Sequence, residues 1–393
     1  MDRYDVLIVG GGPIGGQVAC KIAKEKHSVA IFEKNKEIGA PMNCAGLITP
    51  RVFDFLDISK KDVIKNEVKG ANIHSPNGSI LSIGDGRVHA LVIDRTKFDQ
   101  KIIKNSQKMG AEVFLDNKAK NIKKSKNYYE VETSKNLKCK GNLLIGADGP
   151  LSLVRKKLFF PKPYEFLLGF GAEVSNTDLN PDIVEIFVGN NVAPGFFAWI
   201  IPLNRDGTCA RIGLCTNQNT KKSSKFYFDA LFKNKFTFPY LKDVKIEKNI
   251  GGLIPLGALK KTYGSNVMIV GDAAAQIKPS SGGGIYPGLL CANHCSNVAV
   301  DALTNNDFSC HFLKKYQKLW VKDFGRELSM GMKFRSFYRR LSDKQFNKYI
   351  EFFKKPKVID IINKHGDIDY PSKLLRPLLK KSPLILTSFK LKK

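Results

Sequence analysis

Gly10, Gly12 and Gly15 follow the pattern Gly-x-Gly-x-x-Gly between an apolar run, Tyr4 to Val9, and an amphipathic stretch, Gln17 to Lys26. The first glycine permits a tight turn. The second lets the backbone approach a pyrophosphate, and the third lets a helix pack on a strand. The start of such a helix offers unpaired N–H groups to phosphate oxygens. Pro13 and Ile14, inside the motif, are expected against the same nucleotide. Glu33 closes a second apolar run, Ser28 to Glu33, with Lys34 beside it. A carboxylate there accepts from a ribose 2′-hydroxyl and repels a 2′-phosphate, so FAD or NAD is expected rather than NADP.

Two later turns separate FAD from NAD. Gly146-Ala147-Asp148-Gly149 ends one apolar run, and Gly271-Asp272-Ala273-Ala274 ends another. Gly282-Gly283-Gly284-Ile285 then opens a long apolar stretch. An extended FAD crosses a sheet edge and needs more than one strand end. Asp272 is placed for a ribityl hydroxyl or a pyrophosphate-bound water. Asp148 serves the same nucleotide or is a plain turn residue. The amides of Gly282 to Gly284 face the flavin N1–C2=O edge, where they stabilise charge on reduction, or they form a hinge. Phe197, Trp199 and Ile201 alternate in Pro194-Gly-Phe-Phe-Ala-Trp-Ile-Ile-Pro202, so they share one face of a strand. That face is an apolar wall for an isoprenoid chain or an ordinary sheet core.

The three turns, in this order, resemble the flavoprotein superfamily that includes para-hydroxybenzoate hydroxylase. Within it the sequence most resembles the geranylgeranyl reductase family, archaeal digeranylgeranylglycerophospholipid reductases included. The resemblance covers most of residues 1–330, and the last 60 residues add little. Residues 194–202 resemble the family's Pro-x-x-Tyr-x-Trp-x-Phe-Pro motif, with Phe197 for Tyr and Ile201 for Phe. The family also carries a cysteine near the flavin, in the loop after the second strand. Here that is Cys44 in Pro41-Met-Asn-Cys44-Ala45-Gly46-Leu47. The resemblance implies that Cys44, Ala45 and Gly46 border the cofactor. Cys44 is then a proton donor or a small buried thiol. It also implies that Arg95, opening a helix at Asp94-Arg95, stands beside the FAD phosphates, with a structural salt bridge as the alternative.

The implied activity is FAD-dependent saturation of isoprenoid C=C bonds, by hydride transfer from reduced flavin N5 plus protonation. The substrate would be a prenyl lipid or prenyl diphosphate. No second glycine motif marks a nicotinamide site and no cysteine cluster marks an iron–sulfur centre, so an external donor such as ferredoxin is expected. A monooxygenase or halogenase on the same fold is one alternative. A flavin-binding electron carrier or sensor without its own substrate is another.

These residues need a particular scaffold. The expected fold is α/β. It combines a Rossmann-like FAD-binding domain of the para-hydroxybenzoate hydroxylase type, an antiparallel substrate sheet and a helical C-terminal region. The FAD-binding part is read as residues 1–52, 92–160 and 255–305, the substrate part as 53–91 and 161–254, and the basic helical region as 306–393. Continuous apolar runs at 4–9, 28–33, 143–149 and 266–272 suit strands buried on both faces. Ser75-Pro-Asn-Gly78 reads as a hairpin turn, and residues 128–134 with 137–140 as a hairpin.

Of the 393 residues, 43% are hydrophobic, which excludes a disordered chain. Eight cysteines are too few for a disulfide-stapled fold. Cys291 and Cys295, four apart on an apolar helix, have no further ligands, and the six histidines form no cluster, so no metal is expected. With no run of ~20 apolar residues and no signal peptide, a cytoplasmic protein is expected. The net charge of +28 fits attraction to an anionic membrane surface, or a solvated lysine-rich exterior. No nucleic-acid motif accompanies it, and a monomer is expected. Leu374 to Lys381, with Phe389 to Lys393, mixes apolar anchors with lysines and reads as an interfacial segment or a packed terminal helix.

Overall fold

The computed structural model describes residues 1–381. At its centre the strand Asp2–Val9 lies between Val29–Phe32 and Lys138–Gly146, parallel to both. Glu112–Phe114 extends the sheet on one side and Val267–Ile269 on the other, again in parallel. Alternate side chains therefore face opposite layers. Val6 and Ile8 enter a core with the helices Pro13–Lys24, Arg95–Lys108 and Ile285–Thr304. Leu7 and Val9 face the hairpin Ala119–Lys124 and Tyr129–Thr133. Burial on both faces explains the unbroken apolar runs.

The structure moves some expected boundaries. The first helix begins at Pro13, not Gln17. Proline fits the first helical position because its missing N–H has no partner there, and Gly12 caps it. Residues 138–146 form one strand rather than a hairpin arm followed by a separate strand. One edge pairs with Asp2–Val9 throughout, while the other passes from Tyr129–Thr133 to Val267–Ile269.

A seven-stranded sheet stands beside this layer. Its order is Lys245–Leu256, Glu165–Ser175, Cys209–Asn217, Phe197–Pro202, Ile183–Val188, Gly70–His74, Ile80–Gly84. All its pairs are antiparallel except Ile183–Val188 with Gly70–His74. A third sheet joins Leu47–Ile48, Ala90–Ile93 and Ile64–Val68. Ala198 and Ile200 face the helix Ser224–Leu231. Trp199 and Ile201 face the opposite way, toward Ala45, Leu47, Val68 and Val92.

From Cys310 the chain is helical through Tyr338, with a wider turn at Val321–Gly325. The helices Asp343–Phe353 and Pro356–His365 follow, and Leu375–Lys381 ends the described chain. Of the expected interfacial segment, residues 382–393 lie outside the described residues. Among the described residues, no helix is long and apolar enough to cross a membrane.

Candidate active site

One cavity of about 810 Å³ joins the glycine turns of the parallel sheet to the inner face of the seven-stranded sheet. At its polar end, Gly12, Pro13, Ile14, Glu33, Ala147, Gly149 and Asp272 reach the wall. A Cβ placed on Gly12 or Gly149 would meet no atom within 4 Å, so both turns present bare backbone to open space. A pyrophosphate requires such a cradle at the start of a helix. Gly10 and Gly15 serve it indirectly. Gly10 has φ +110° and sits against the Ala147 carbonyl, and Gly15 packs against Gly10. Neither residue lines the cavity, and nor does Gly271, which packs against Ile14.

The Glu33 carboxylate accepts from Gly11 N–H at 2.8 Å and Asn35 N–H at 2.9 Å. Those bonds fix its orientation and leave lone pairs for a ribose hydroxyl. Lys34 is exposed and lies off the cavity, because a strand end alternates its side chains. Asp148 also turns away. Its Oδ2 accepts from Leu153 N–H at 2.6 Å and Val154 N–H at 3.1 Å, at the start of the short helix Leu153–Lys157. Those N–H groups lack partners within the helix, so the carboxylate serves as their cap. Capping is the role of the turn residue that the sequence offered as one alternative, while Asp148 Oδ1 is buried with no hydrogen-bond partner among the described residues.

Gly282, Gly283, Gly284 and Ile285 line the cavity where the helix Ile285–Thr304 begins. Gly284 faces Asp272, whose Oδ1 lies 3.0 Å from where a Cβ would stand. Burial pushes the Asp272 carboxyl up to about 6, against an opposing pull from Arg95. The folded value then exceeds the unfolded one, so stability present at low pH is lost as pH rises through about 6. In cofactor-free protein, Asp272→Asn is expected to add about 2–3 kcal/mol near pH 8. The gain should fade toward pH ~4, and urea unfolding at several pH values checks it.

Cys44, Ala45 and Gly46, in the loop before Leu47–Ile48, line the cavity wall. Cys44 Sγ accepts from Gly46 N–H at 3.3 Å. Arg95 lies near the same sulfur and interacts with it electrostatically. The guanidinium also pairs with Asp99, with Nε–Oδ1 at 3.1 Å and Nη2–Oδ2 at 2.9 Å. Burial opposes its charge, yet Asp99 and Cys44 together hold its pKa above the usual value. Burial holds Asp99 above the carboxylate range even with Arg95 beside it. Arg95 therefore makes the salt bridge and also faces the cavity.

Sequence reasoning missed Arg211. Its side chain is buried, and Nη1 donates to Ala45 O at 3.1 Å and Ile93 O at 2.9 Å, while Nε pairs with Glu173 at 2.8 Å. One guanidinium thus clamps the Cys44 turn to the strand that leads into Arg95. A buried arginine in a strand is the sequence signal, legible only once the partner turn is known.

Beyond Cys44 the wall becomes apolar, with Phe197, Trp199 and Ile201 joined by Val184 and Ile186. Phe197 and Trp199 meet edge to face at 6.1 Å. Gly213 leaves the room that the Trp199 indole fills. The far wall was also missed. Ile362, Gly366, Asp367, Asp369 and Leu374 return from the C-terminal helices to close the cavity. Among the described residues, no group of three metal-ligating side chains occurs.

Residues 5–355 match the family model described as lycopene cyclase protein. The digeranylgeranylglycerophospholipid reductase of Methanocaldococcus jannaschii is 31% identical over 89% of this chain and 90% of its own. The chain belongs to this family of geranylgeranyl reductases and lycopene cyclases. A second relative in the same organism, the uncharacterized protein MJ1520, is 35% identical over 96% of this chain and 95% of its own. The alignments thus extend past residue 330 into the C-terminal region. A solved structure, that of a geranylgeranyl bacteriochlorophyll reductase-like protein from Thermoplasma acidophilum, superposes with a TM-score of 0.87 at 24% identity. The superposition covers 99% of each chain and shows that the fold is shared.

Proposed function

We propose that this chain is an FAD-dependent reductase that saturates C=C bonds in the geranylgeranyl chains of a prenyl lipid. One observation carries the reading. A single cavity holds a bare-backbone phosphate cradle, a cysteine beside an arginine, and an aromatic wall. We assign the FAD to the parallel-sheet turns, held by Gly12, Pro13, Glu33, Gly149, Asp272 and Gly282 to Gly284, and the prenyl chain to Phe197, Trp199 and Ile201. Bound and reduced, FAD supplies a hydride to one carbon of the double bond.

The chain's own residues do the rest. The Cys44 thiol gives its proton to the other carbon. The sulfur left negative is met by the Arg95 guanidinium and the Gly46 N–H. Arg211 holds the turn that carries the thiol. The Trp199 and Ile201 face keeps water from the double bond and aligns the chain. The donor that reduces the flavin is an external electron carrier, with ferredoxin the candidate class.

The test is mass spectrometry of digeranylgeranylglycerophospholipid after incubation with the flavin-loaded protein and dithionite. Each saturated bond adds two hydrogens. An untouched lipid sinks the reading. The lycopene cyclase match favours a second reading, cyclisation of a polyene. Cyclisation leaves the mass unchanged, so a product of equal mass and altered retention selects it.

A further inference from the structure

Residues 151–164 form an exposed strip beside one end of the cavity, since Leu151 follows the lining residues Gly149 and Pro150. Leu151 is 56% exposed, Phe159 93% and Tyr164 68%. Lys156, Lys157 and Lys162 are exposed between them. The strip is firmly held. Leu153, Leu158 and Phe160 pack against the core under the parallel sheet. The buried Arg155 donates to Ala273 O at 2.8 Å and Pro150 O at 2.6 Å, and its carbonyl accepts from Phe160 N–H at 3.0 Å.

With its neighbours anchored, Phe159 adopts φ +54° and its ring stands in solvent. A phenylalanine seldom takes the left-handed region, and such strain persists only where the surroundings impose it. Phe159 is the left-handed residue that closes the helix Leu153–Lys157, a position usually filled by glycine, and here it carries an exposed aromatic ring. Aromatic rings flanked by lysines match the boundary between headgroups and acyl chains. The lysines are complementary to anionic headgroups. A bilayer takes both at once, the ring among the upper acyl chains and the lysines on the headgroups.

We propose that residues 151–164 dock the protein on an anionic lipid bilayer, with Phe159 inserted and Lys156, Lys157 and Lys162 against the headgroups. The docking gains its purpose from the prenyl-lipid reading, yet it is tested by binding alone. Full-length, flavin-loaded protein is sedimented with phosphatidylglycerol or phosphatidylcholine vesicles. Binding is expected to the former only, and to fall with salt. Phe159→Ser should weaken it roughly tenfold. Lys156→Glu with Lys157→Glu should weaken it more than tenfold, each lysine contributing roughly fivefold. Flavin retention and turnover of detergent-dispersed lipid should match wild type in both variants.

Equal binding to both vesicle types overturns the proposal. So does vesicle binding that survives both changes, or a lysine variant that loses only the capture of an acidic electron-transfer protein. If wild type binds vesicles but turns over no lipid, the functional reading falls while the docking result stands.

Discussion

Cys44→Ala is expected to slow double-bond saturation by roughly 10²- to 10⁴-fold, the usual range for a positioned general acid, while flavin stays bound. The thiol lines the same cavity as the phosphate cradle and the apolar wall, and its neighbour Ala45 packs with Trp199 and Ile201. Its sulfur already accepts from Gly46 N–H and faces Arg95. The negative charge formed on proton transfer is therefore stabilised with no rearrangement. Cys44→Ser tests the chemistry apart from the packing. Serine keeps the size and the backbone hydrogen bond, but a hydroxyl is a much weaker acid. It should be nearly as slow as alanine. Reoxidation of reduced flavin by added lipid, followed by absorbance under argon, gives the rate. Turnover at wild-type speed in both variants, with normal flavin content, dismisses Cys44 as the donor.

The glycine cradle and the strand face are legible in the sequence alone, and the reason is local. The bare backbone at Gly12 is a property of one turn between one strand and one helix. The Phe197, Trp199 and Ile201 face follows from the two-residue period of a strand. Asp148 was legible only as two alternatives. A carboxylate after a strand caps a helix or meets a ligand, and the choice rests on whether the next residues turn into a helix, as Leu153–Lys157 do. Lys34 shows the same limit by one residue, since alternation past Glu33 sends it to solvent.

The partner of Arg211 and the wall at 362–374 were not legible. Arg211 meets Ala45 from 166 positions away. The C-terminal wall depends on how three helices fold back, and no local pattern sets that path. Its buried charges are what secure it.

Those charges carry the second large expectation. Lys278→Met should destabilise the protein by about 3–5 kcal/mol. Lys278 Nζ lies 2.7 Å from Asp369 Oδ1 and also donates to Ile368 O at 3.1 Å. Asp369 is fully buried, and its other oxygen accepts from Thr49 at 2.5 Å. Without Lys278 that carboxylate keeps one hydroxyl donor and Arg51 at 3.7 Å, whose half-exposed guanidinium is already committed to Asp367 at 2.7 Å. A buried charge left so poorly matched costs far more than a surface pair.

Removing both charges should restore most of the loss. Lys278→Met with Asp369→Leu leaves no orphan, and apolar replacements of a buried pair are often neutral. Urea unfolding of the two single variants and the double variant closes the cycle. The pair also joins the wall to the cofactor turn. Lys278 N–H donates to Gly283 O at 3.2 Å, and its carbonyl accepts from Gly282 N–H at 2.9 Å. Because the Lys278 side chain also packs against Gly283, the single variant should hold flavin less tightly and raise KM for the lipid. The double variant should recover stability before it recovers KM, because methionine and leucine refill the volume without rebuilding the link to Ile368. A single variant within ~1 kcal/mol of wild type, the range of an exposed pair, means that the wall is secured by its packing, through Tyr370 against Phe324 and Tyr286, and not by its charge.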